Sequence, residues 1–241
     1  MGCKMIKDIL RYSDQMPLFY KYLKGKGYSA QLLYRYTKSG WLEKLSKGVY
    51  KKQGQALSPV LVVKALQEQL QLEIFIGAQT AMALQNKSHY VKFDQKYQLF
   101  VYSQARLNGW IKSLPYFQFN KITLFTAPLT GLTELEGVRI SSLERAFIEM
   151  AELVPDNAAY DELINNLELV PNLRTELLQT LLEGCLSIKA KRLFLHAADK
   201  VQHKWFARLN LGKVSLGKGP RQLVKKGVYD KKYNIYVPKV D

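Results

Sequence analysis

The first 55 residues carry short apolar stripes at helical spacing, and this pattern predicts three helices followed by a hairpin. Apolar positions between residues 6 and 10 indicate one helix. Pro17 favours the start of a second helix that ends at Gly25 or Gly27, because proline suits the first helical turn and glycine suits the residue after the last one. A tight turn then leads into a third helix.

The third helix is predicted to have one apolar and one polar face. Ser29 can cap its start by accepting from a free amide of the first turn, and Gly40 can adopt the left-handed conformation that ends it. Leu32, Leu33 and Tyr36 recur at three- and four-residue spacing, so their face is expected to pack inward. The other face is expected to point to solvent and carries Gln31, Tyr34, Arg35 and Lys38.

A short hairpin is predicted after this helix, with apolar positions between residues 41 and 50 on both sides of a Ser-Lys-Gly turn. Lysines gather at the turn and at its exit, namely Lys47, Lys51 and Lys52. The elements follow the order of a winged helix-turn-helix, which inserts one helix into a DNA groove and rests another element on phosphates. The alternative is that this basic segment is only a solvated surface.

The rest of the chain mixes helical and strand patterns, so the whole chain is predicted to be α+β. Residues 1–55 are expected to form the winged helix-turn-helix domain, residues 56–150 a mixed α/β domain without a regular βαβ repeat, and residues 151–241 a helical region with a terminal hairpin or sheet edge. The predicted helices after residue 55 are 58–70, 78–84, 142–153, 157–167, 172–182 and 188–201. The predicted strands are 73–76, 97–102, 122–125, 138–140, 221–224 and 233–237.

The charge is distributed unevenly along the chain, whose net charge is +16 over 241 residues. Residues 1–55 hold 12 basic and 3 acidic side chains, residues 151–187 hold 1 and 7, and residues 188–241 hold 14 and 3. Two basic regions of this strength attract polyanions, whether DNA, RNA or an anionic membrane. A second basic surface, with its helical members facing outward, is therefore predicted from Lys189, Lys191, Arg192, Lys218, Arg221, Lys225 and Lys226.

The sequence lacks the features of a membrane-spanning, secreted or disulfide-bonded protein. No apolar run approaches the roughly 18 residues of a membrane span, and the first residues lack the long apolar core of a signal peptide. Cys3 and Cys185 are the only cysteines, which favours a reducing compartment and no disulfide framework. The protein is expected to be cytoplasmic.

The sequence predicts no catalytic, cofactor or metal site. His89, His196 and His203 have no cysteine or acidic partner at metal-ligand spacing. Residues 212–219 approach the pattern of a phosphate-binding loop, but Gly219 stands where the pattern needs a serine or threonine. A basic surface loop is predicted there instead. The protein is not expected to be an enzyme.

The segments KSGWLE (38–43) and LSKGVY (45–50) resemble the N-terminal winged-helix domain of the AbiEi antitoxins, which belong to abortive-infection type IV toxin–antitoxin systems. Residues 191–195, 203–206 and 221–237 resemble the C-terminal region of that family. The resemblance implies that the N-terminal domain binds inverted repeats in its own promoter and represses the operon. It also implies that the C-terminal region opposes a nucleotidyltransferase-like toxin without needing a stable complex.

Under this interpretation the candidate DNA-binding residues divide into two groups. Gln31, Arg35 and Lys38 are expected to reach base edges or nearby phosphates. The others, expected to position the domain on the DNA backbone or to lie beside it, are Ser29, Tyr34, Lys47, Lys51 and Lys52. The alternative is an RNA-binding or toxin-inhibiting module without sequence-specific DNA binding. RNA readers of single strands expose aromatic platforms, whereas the aromatic residues near the hairpin fall mostly on inward faces.

Overall fold

The computed structural model describes residues 6–11, 15–86, 96–101, 107, 109–121, 124–154, 157–222 and 227–238. The helices in these ranges are α1 (Ile6–Arg11), α2 (Tyr20–Gly25), α3 (Ala30–Lys38), α4 (Pro59–Glu68), α5 (Ala78–Leu84), α6 (Gly109–Lys112), α7 (Leu143–Leu153), α8 (Asn157–Glu168), α9 (Thr175–Gly184) and α10 (Ile188–Val201). The strands are β1 (Leu18–Phe19), β2 (Leu42–Ser46), β3 (Val49–Lys52), β4 (Ile74–Ile76), β5 (Tyr97–Val101), β6 (Phe117–Lys121), β7 (Leu132–Leu135), β8 (Val138–Ser141), β9 (Arg221–Gln222), β10 (Val228–Asp230) and β11 (Ile235–Val237). The predicted α+β class is confirmed.

The N-terminal elements follow the order α1, β1, α2, α3, β2, β3, and the three strands form one sheet in the order β1-β3-β2. The hairpin β2–β3, called the wing below, turns at residues 46–48 as predicted. Gly48 supplies the left-handed conformation that the turn needs, with φ of +74°. The elements enclose a small core, whose buried members are Ile9, Leu18, Leu23, Tyr28, Leu33 and Leu42.

The prediction that Pro17 opens the second helix is wrong, because the two residues after it form an edge strand. Leu18 pairs with Tyr50 of the wing, and α2 begins only at Tyr20. The buried Gln69 side chain binds the other edge of β1. Its Oε1 accepts from the Phe19 amide and its Nε2 donates to the Pro17 carbonyl, both at a distance of 2.9 Å. The pairing that makes this segment extended comes from residues far along the chain.

The middle of the chain contributes a five-stranded sheet in the order β6-β5-β4-β8-β7, in which β4 and β8 run parallel. The predicted helix 78–84 is found at those residues, and the helices predicted at 58–70 and 142–153 agree within one or two residues at each end. Of the strand predicted at 122–125, residues 122–123 lie outside the described ranges. The described residues of this prediction, Leu124 and Phe125, form no strand, and Phe125 makes only an isolated bridge with Cys185.

A buried ion pair holds α7 against its neighbours. Arg145 Nε lies 2.7 Å from Glu149 Oε1, and both side chains are fully buried. The other carboxylate oxygen of Glu149 accepts from the Ser141 hydroxyl at 2.8 Å and from the Ala78 amide at 2.9 Å. The guanidinium also donates to two backbone carbonyls, those of Pro128 and Thr130. This one network therefore joins the end of β8, the start of α5 and the loop before β7.

The described C-terminal elements are the helices α8, α9 and α10, two short 3₁₀ helices (Phe206–Arg208 and Leu211–Lys213) and a three-stranded sheet of order β10-β11-β9. The predicted helix 188–201 is found at those residues. The helix predicted at 172–182 begins three residues later, because Glu144 accepts from the Arg174 amide and holds this residue in an extended conformation. β10 and β11 form the terminal hairpin, whereas β9 pairs with β11 in parallel.

Contacts within the chain divide it into two units, one made of 1–75, 104–118 and 134–139, and the other of 76–103, 119–133 and 140–241. The predicted domain boundaries after residues 55 and 150 stay predictions. In the described part of the chain no helix is long and apolar enough to cross a membrane. Burial raises the pKa of the Cys185 thiol to about 11, so this cysteine is a protonated core residue at neutral pH.

Candidate nucleic-acid interface

The position of α3 is fixed at both ends and on one face. The Ser29 hydroxyl accepts from the Leu32 amide at 3.1 Å, so the predicted N-cap is confirmed. Gly40 has φ of +73° just past the helix, as expected for the residue that ends it. Leu33 is fully buried, and Leu32 and Tyr36 pack against the N-terminal core.

The opposite face of α3 is exposed over its whole length. It carries the four residues that the sequence predicts for it, Gln31, Tyr34, Arg35 and Lys38. Tyr34 is 61% exposed, and the Lys38 ammonium lies 5.8 Å from the centre of its ring. No carboxylate in the described ranges lies within ion-pair distance of Arg35 or Lys38, so both cations are available to an anionic ligand.

The wing carries lysines in two different situations. Lys47 at the turn and Lys52 at the end of β3 are exposed. Lys51 instead pairs with Glu43, its cross-strand partner, at 3.2 Å and donates to the Gln55 carbonyl at 2.9 Å. Lys51 therefore stabilises the hairpin, and a phosphate would have to compete with Glu43 for it. The register of a hairpin with this turn places positions 43 and 51 opposite each other, so the sequence contained the signal for this pair.

The second basic surface is smaller than predicted. The expectation that Lys191 and Arg192 face outward is wrong, since they are 3% and 1% exposed. Lys189 is half-buried and donates to the Glu152 carbonyl. Two predicted members are exposed, Lys218 and Arg221. The other two, Lys225 and Lys226, lie outside the described residues.

Arg192 has a structural role that the sequence interpretation missed. Its guanidinium donates to the carbonyls of Leu216, Gly217, Gly219 and Asn234, over 2.6 to 3.2 Å. The glycine-rich segment 212–219 therefore turns backbone carbonyls, not amides, toward a buried cation. This is the reverse of a phosphate-binding loop, in which backbone amides face the anion. The sequence signal was the apolar run at positions 193–195 of α10, which leaves that helix no wide polar face.

The C-terminal hairpin is attached to α10 by a buried histidine. His196 Nδ1 lies 3.1 Å from Asp230 Oδ2, and the ring stacks on Tyr160 with the centroids 6.0 Å apart. Burial lowers the pKa of His196 and Lys200 lowers it further, while Asp230 opposes both effects. The ring is therefore neutral in the folded protein at neutral pH.

Acidification is expected to destabilise the fold through His196. Because its pKa in the folded state is below that in the unfolded chain, the unfolded state binds more protons as the pH falls below about 6.5. Above that pH, protonation of His196 does not affect the free energy of unfolding. Below it, this free energy falls progressively as the pH is lowered. Urea unfolding at pH 7 and pH 5 should show a smaller loss for His196→Gln than for the wild type. His203→Gln, which leaves His196 in place, is the control, and equal losses in His196→Gln and the wild type would contradict the assignment.

The described residues contain no group of three or more His, Cys, Asp or Glu side chains that could hold a metal ion, and His89 lies outside those residues. The expectations of no cofactor and no enzymatic activity stay predictions.

Comparison with known proteins agrees with the predicted family. A model of the AbiEi antitoxin N-terminal domain, a transcriptional regulator, matches residues 9–93. A second model, of the transcriptional regulator AbiEi antitoxin of type IV toxin–antitoxin systems, matches residues 94–238. The crystal structure of the RV2827C protein from Mycobacterium tuberculosis is similar in fold, with a TM-score of 0.68 and 16% identity over 95% of this chain and 88% of that one. No curated protein sequence matches the chain.

These matches, which together span most of the sequence, place the chain among transcriptional regulators. It belongs to the family of AbiEi antitoxins of type IV toxin–antitoxin systems.

Proposed function

We propose that the protein is a cytoplasmic repressor that binds inverted repeats upstream of its own operon through α3 and the wing. The observation that carries this proposal is the exposed face of α3, where Gln31, Arg35 and Lys38 lie without a competing carboxylate in the described structure. An arginine or glutamine on such a face can form paired hydrogen bonds to a guanine or adenine edge in the major groove. Lys47 and Lys52 at the exposed ends of the wing would bind phosphates and fix the orientation.

The same protein would act as an antitoxin through residues 151–241, opposing a nucleotidyltransferase-like toxin encoded beside it. This part of the proposal rests on family membership, and on a C-terminal sheet that includes no residue of α3 or the wing. A stable complex with the toxin is not required. The two activities should therefore be separable by single substitutions.

A reporter under the control of the upstream region tests the first activity, and survival on toxin expression tests the second. The wild-type chain is expected to repress the reporter and to protect the cells. Arg35→Ala should relieve repression while protection remains, because Arg35 is exposed and its loss leaves the core intact. Repression that is unchanged in Arg35→Ala, in a Gln31→Ala/Arg35→Ala double variant and in Lys47→Ala would contradict the DNA-binding role of α3 and the wing.

The runner-up function, binding of RNA without sequence-specific DNA binding, predicts a different competition result. Single-stranded RNA would displace the upstream duplex from the full-length protein at lower concentration than a second DNA duplex does. The repressor proposal predicts the opposite order.

A further inference from the structure

Two large aromatic side chains lie next to each other on the exposed face of the C-terminal sheet. Tyr229 of β10 and Tyr236 of β11 are direct cross-strand partners and are 45% and 36% exposed. Their ring centroids are 5.0 Å apart, with an angle of 43° between the planes. Ile235 and Val237, on either side of Tyr236, are buried, so the tyrosine pair is on the face of β11 that turns away from the core.

Hydrogen bonds hold this tyrosine pair in place. The Tyr229 hydroxyl donates to the Asn234 side chain at 2.6 Å. The Asn234 carbonyl in turn accepts from the buried Arg192 guanidinium at 2.8 Å and from the Arg221 amide at 3.0 Å. The turn between β10 and β11 is therefore tied to α10 through Asn234, and the Tyr229 ring, which is bonded to the same residue, has little conformational entropy left to lose when a ligand stacks on it.

Basic residues border the sheet that carries the tyrosine pair: Lys218 lies just before β9, Arg221 begins β9, and Lys231 directly follows β10. Lys218, Arg221 and Lys231 are exposed, and in the part of the chain that the structure describes they form no ion pair. The two acidic residues of 188–241 that the structure describes are already engaged, since Asp199 pairs with Lys232 at 2.6 Å and Asp230 contacts His196. Residues 188–241 as a whole have 14 basic and 3 acidic side chains.

The polar neighbour of the tyrosine pair is an amide. Gln222 of β9 is the register partner of Tyr236 on the side opposite Tyr229, so a row of Tyr229, Tyr236 and Gln222 crosses the three strands.

We propose that this face binds single-stranded nucleic acid, with bases stacked on Tyr229 and Tyr236 and phosphates near Lys218, Arg221 and Lys231. Stacking on aromatic side chains needs bases that are free of their own stack, which a duplex does not offer. Charge complementarity with the backbone supplies the rest of the binding energy and makes it dependent on salt. This site uses no residue of α3 or the wing, and it stands whether or not those elements bind DNA.

The test is the fluorescence anisotropy of short labelled RNA and DNA strands of one sequence, and of the matching DNA duplex, with the full-length protein. Tyr229→Ala and Tyr236→Ala should each weaken single-strand binding by about 5- to 150-fold, the factor that corresponds to 1–3 kcal/mol of stacking per base. Duplex binding should stay at the wild-type level. If the affinities of the RNA and DNA strands fall equally in the two alanine variants, stacking alone accounts for binding. A higher affinity for RNA indicates an additional contact to the 2′-hydroxyl.

Two matched variants separate stacking from folding. Tyr236→Phe keeps the ring and should retain wild-type affinity, whereas Tyr236→Leu keeps an apolar side chain without a ring and should bind as poorly as Tyr236→Ala. The urea unfolding midpoints of all variants identify any that fail to fold. Single-strand binding that is unchanged in the alanine variants overturns the proposal. A loss that is equal for single strands and duplex, or a Tyr236→Phe variant as weak as Tyr236→Ala, overturns it too.

Discussion

Replacing Glu149 by alanine is expected to lower the free energy of unfolding by about 3–5 kcal/mol, the usual cost of removing one partner of a buried ion pair. The substitution leaves the Arg145 guanidinium charged in a site with no solvent access. It also removes the acceptor for the Ser141 hydroxyl and for the first amide of α5. A native domain has only about 5–15 kcal/mol of stability in total, so such a loss is a large fraction of it.

Urea unfolding of the full-length protein measures this effect directly. Glu134→Ala, at an exposed position of β7, is the control and should change the unfolding free energy by less than about 0.5 kcal/mol. A Glu149→Leu/Arg145→Met double variant should recover part of the loss, because it leaves no buried charge, while the Ser141 hydroxyl and the Ala78 amide still lack their acceptor. A loss below about 1 kcal/mol for Glu149→Ala would show that the ion pair does not hold α7 in place.

Arg35→Ala is expected to weaken binding to the upstream duplex by about 1–3 kcal/mol while leaving binding to a scrambled duplex almost unchanged. Arg35 is the member of the exposed α3 face whose five donors in a planar fork best match a guanine edge. Lys47→Ala should behave differently, because the wing turn is expected to bind phosphate. It should weaken both duplexes alike and reduce the steepness of the salt dependence by about one unit.

The comparison of these two variants carries its own control. Lys112→Ala removes an exposed lysine from α6, which lies in the same unit as α3, and should leave both duplexes bound at the wild-type level. Losses of equal size on the two duplexes for Arg35→Ala would assign Arg35 to the phosphates and remove it from the specific readout. If Lys47→Ala no longer binds the upstream duplex more tightly than the scrambled one, the sequence-specific contacts are made by the wing.

Elements with strong local signals were predictable from the sequence. Ser29 and Gly40 mark the ends of α3, and the Ser-Lys-Gly turn marks the wing, because capping and turn formation depend on neighbouring residues only. α10 was predicted over the residues it occupies from the spacing of its apolar positions, and the structure adds that Ser187 caps its start. The exposed face of α3 followed directly from the positions of its apolar residues.

Elements whose conformation depends on distant partners were not predictable in this way. β1 is extended because it lies between the wing and the Gln69 side chain, 50 residues further on. The apolar run at positions 193–195 indicates that α10 has no wide polar face, but no local pattern connects Arg192 to the four carbonyls from residues 216 to 234 that accept from it. The tyrosine pair was not predicted because β10 was not predicted. Without the pairing of β10 with β11, the sequence shows only two tyrosines seven positions apart in a polar segment.

The central claim is that the full-length protein recognises a DNA sequence, and the most direct test is its affinity for the upstream duplex and for a scrambled duplex of equal length at two salt concentrations. A sequence-specific repressor should bind the upstream duplex at least about a thousandfold more tightly at physiological salt, and this preference should persist when the salt concentration is raised. Equal binding to both duplexes that collapses together at the higher salt would contradict the claim and leave only an electrostatic surface.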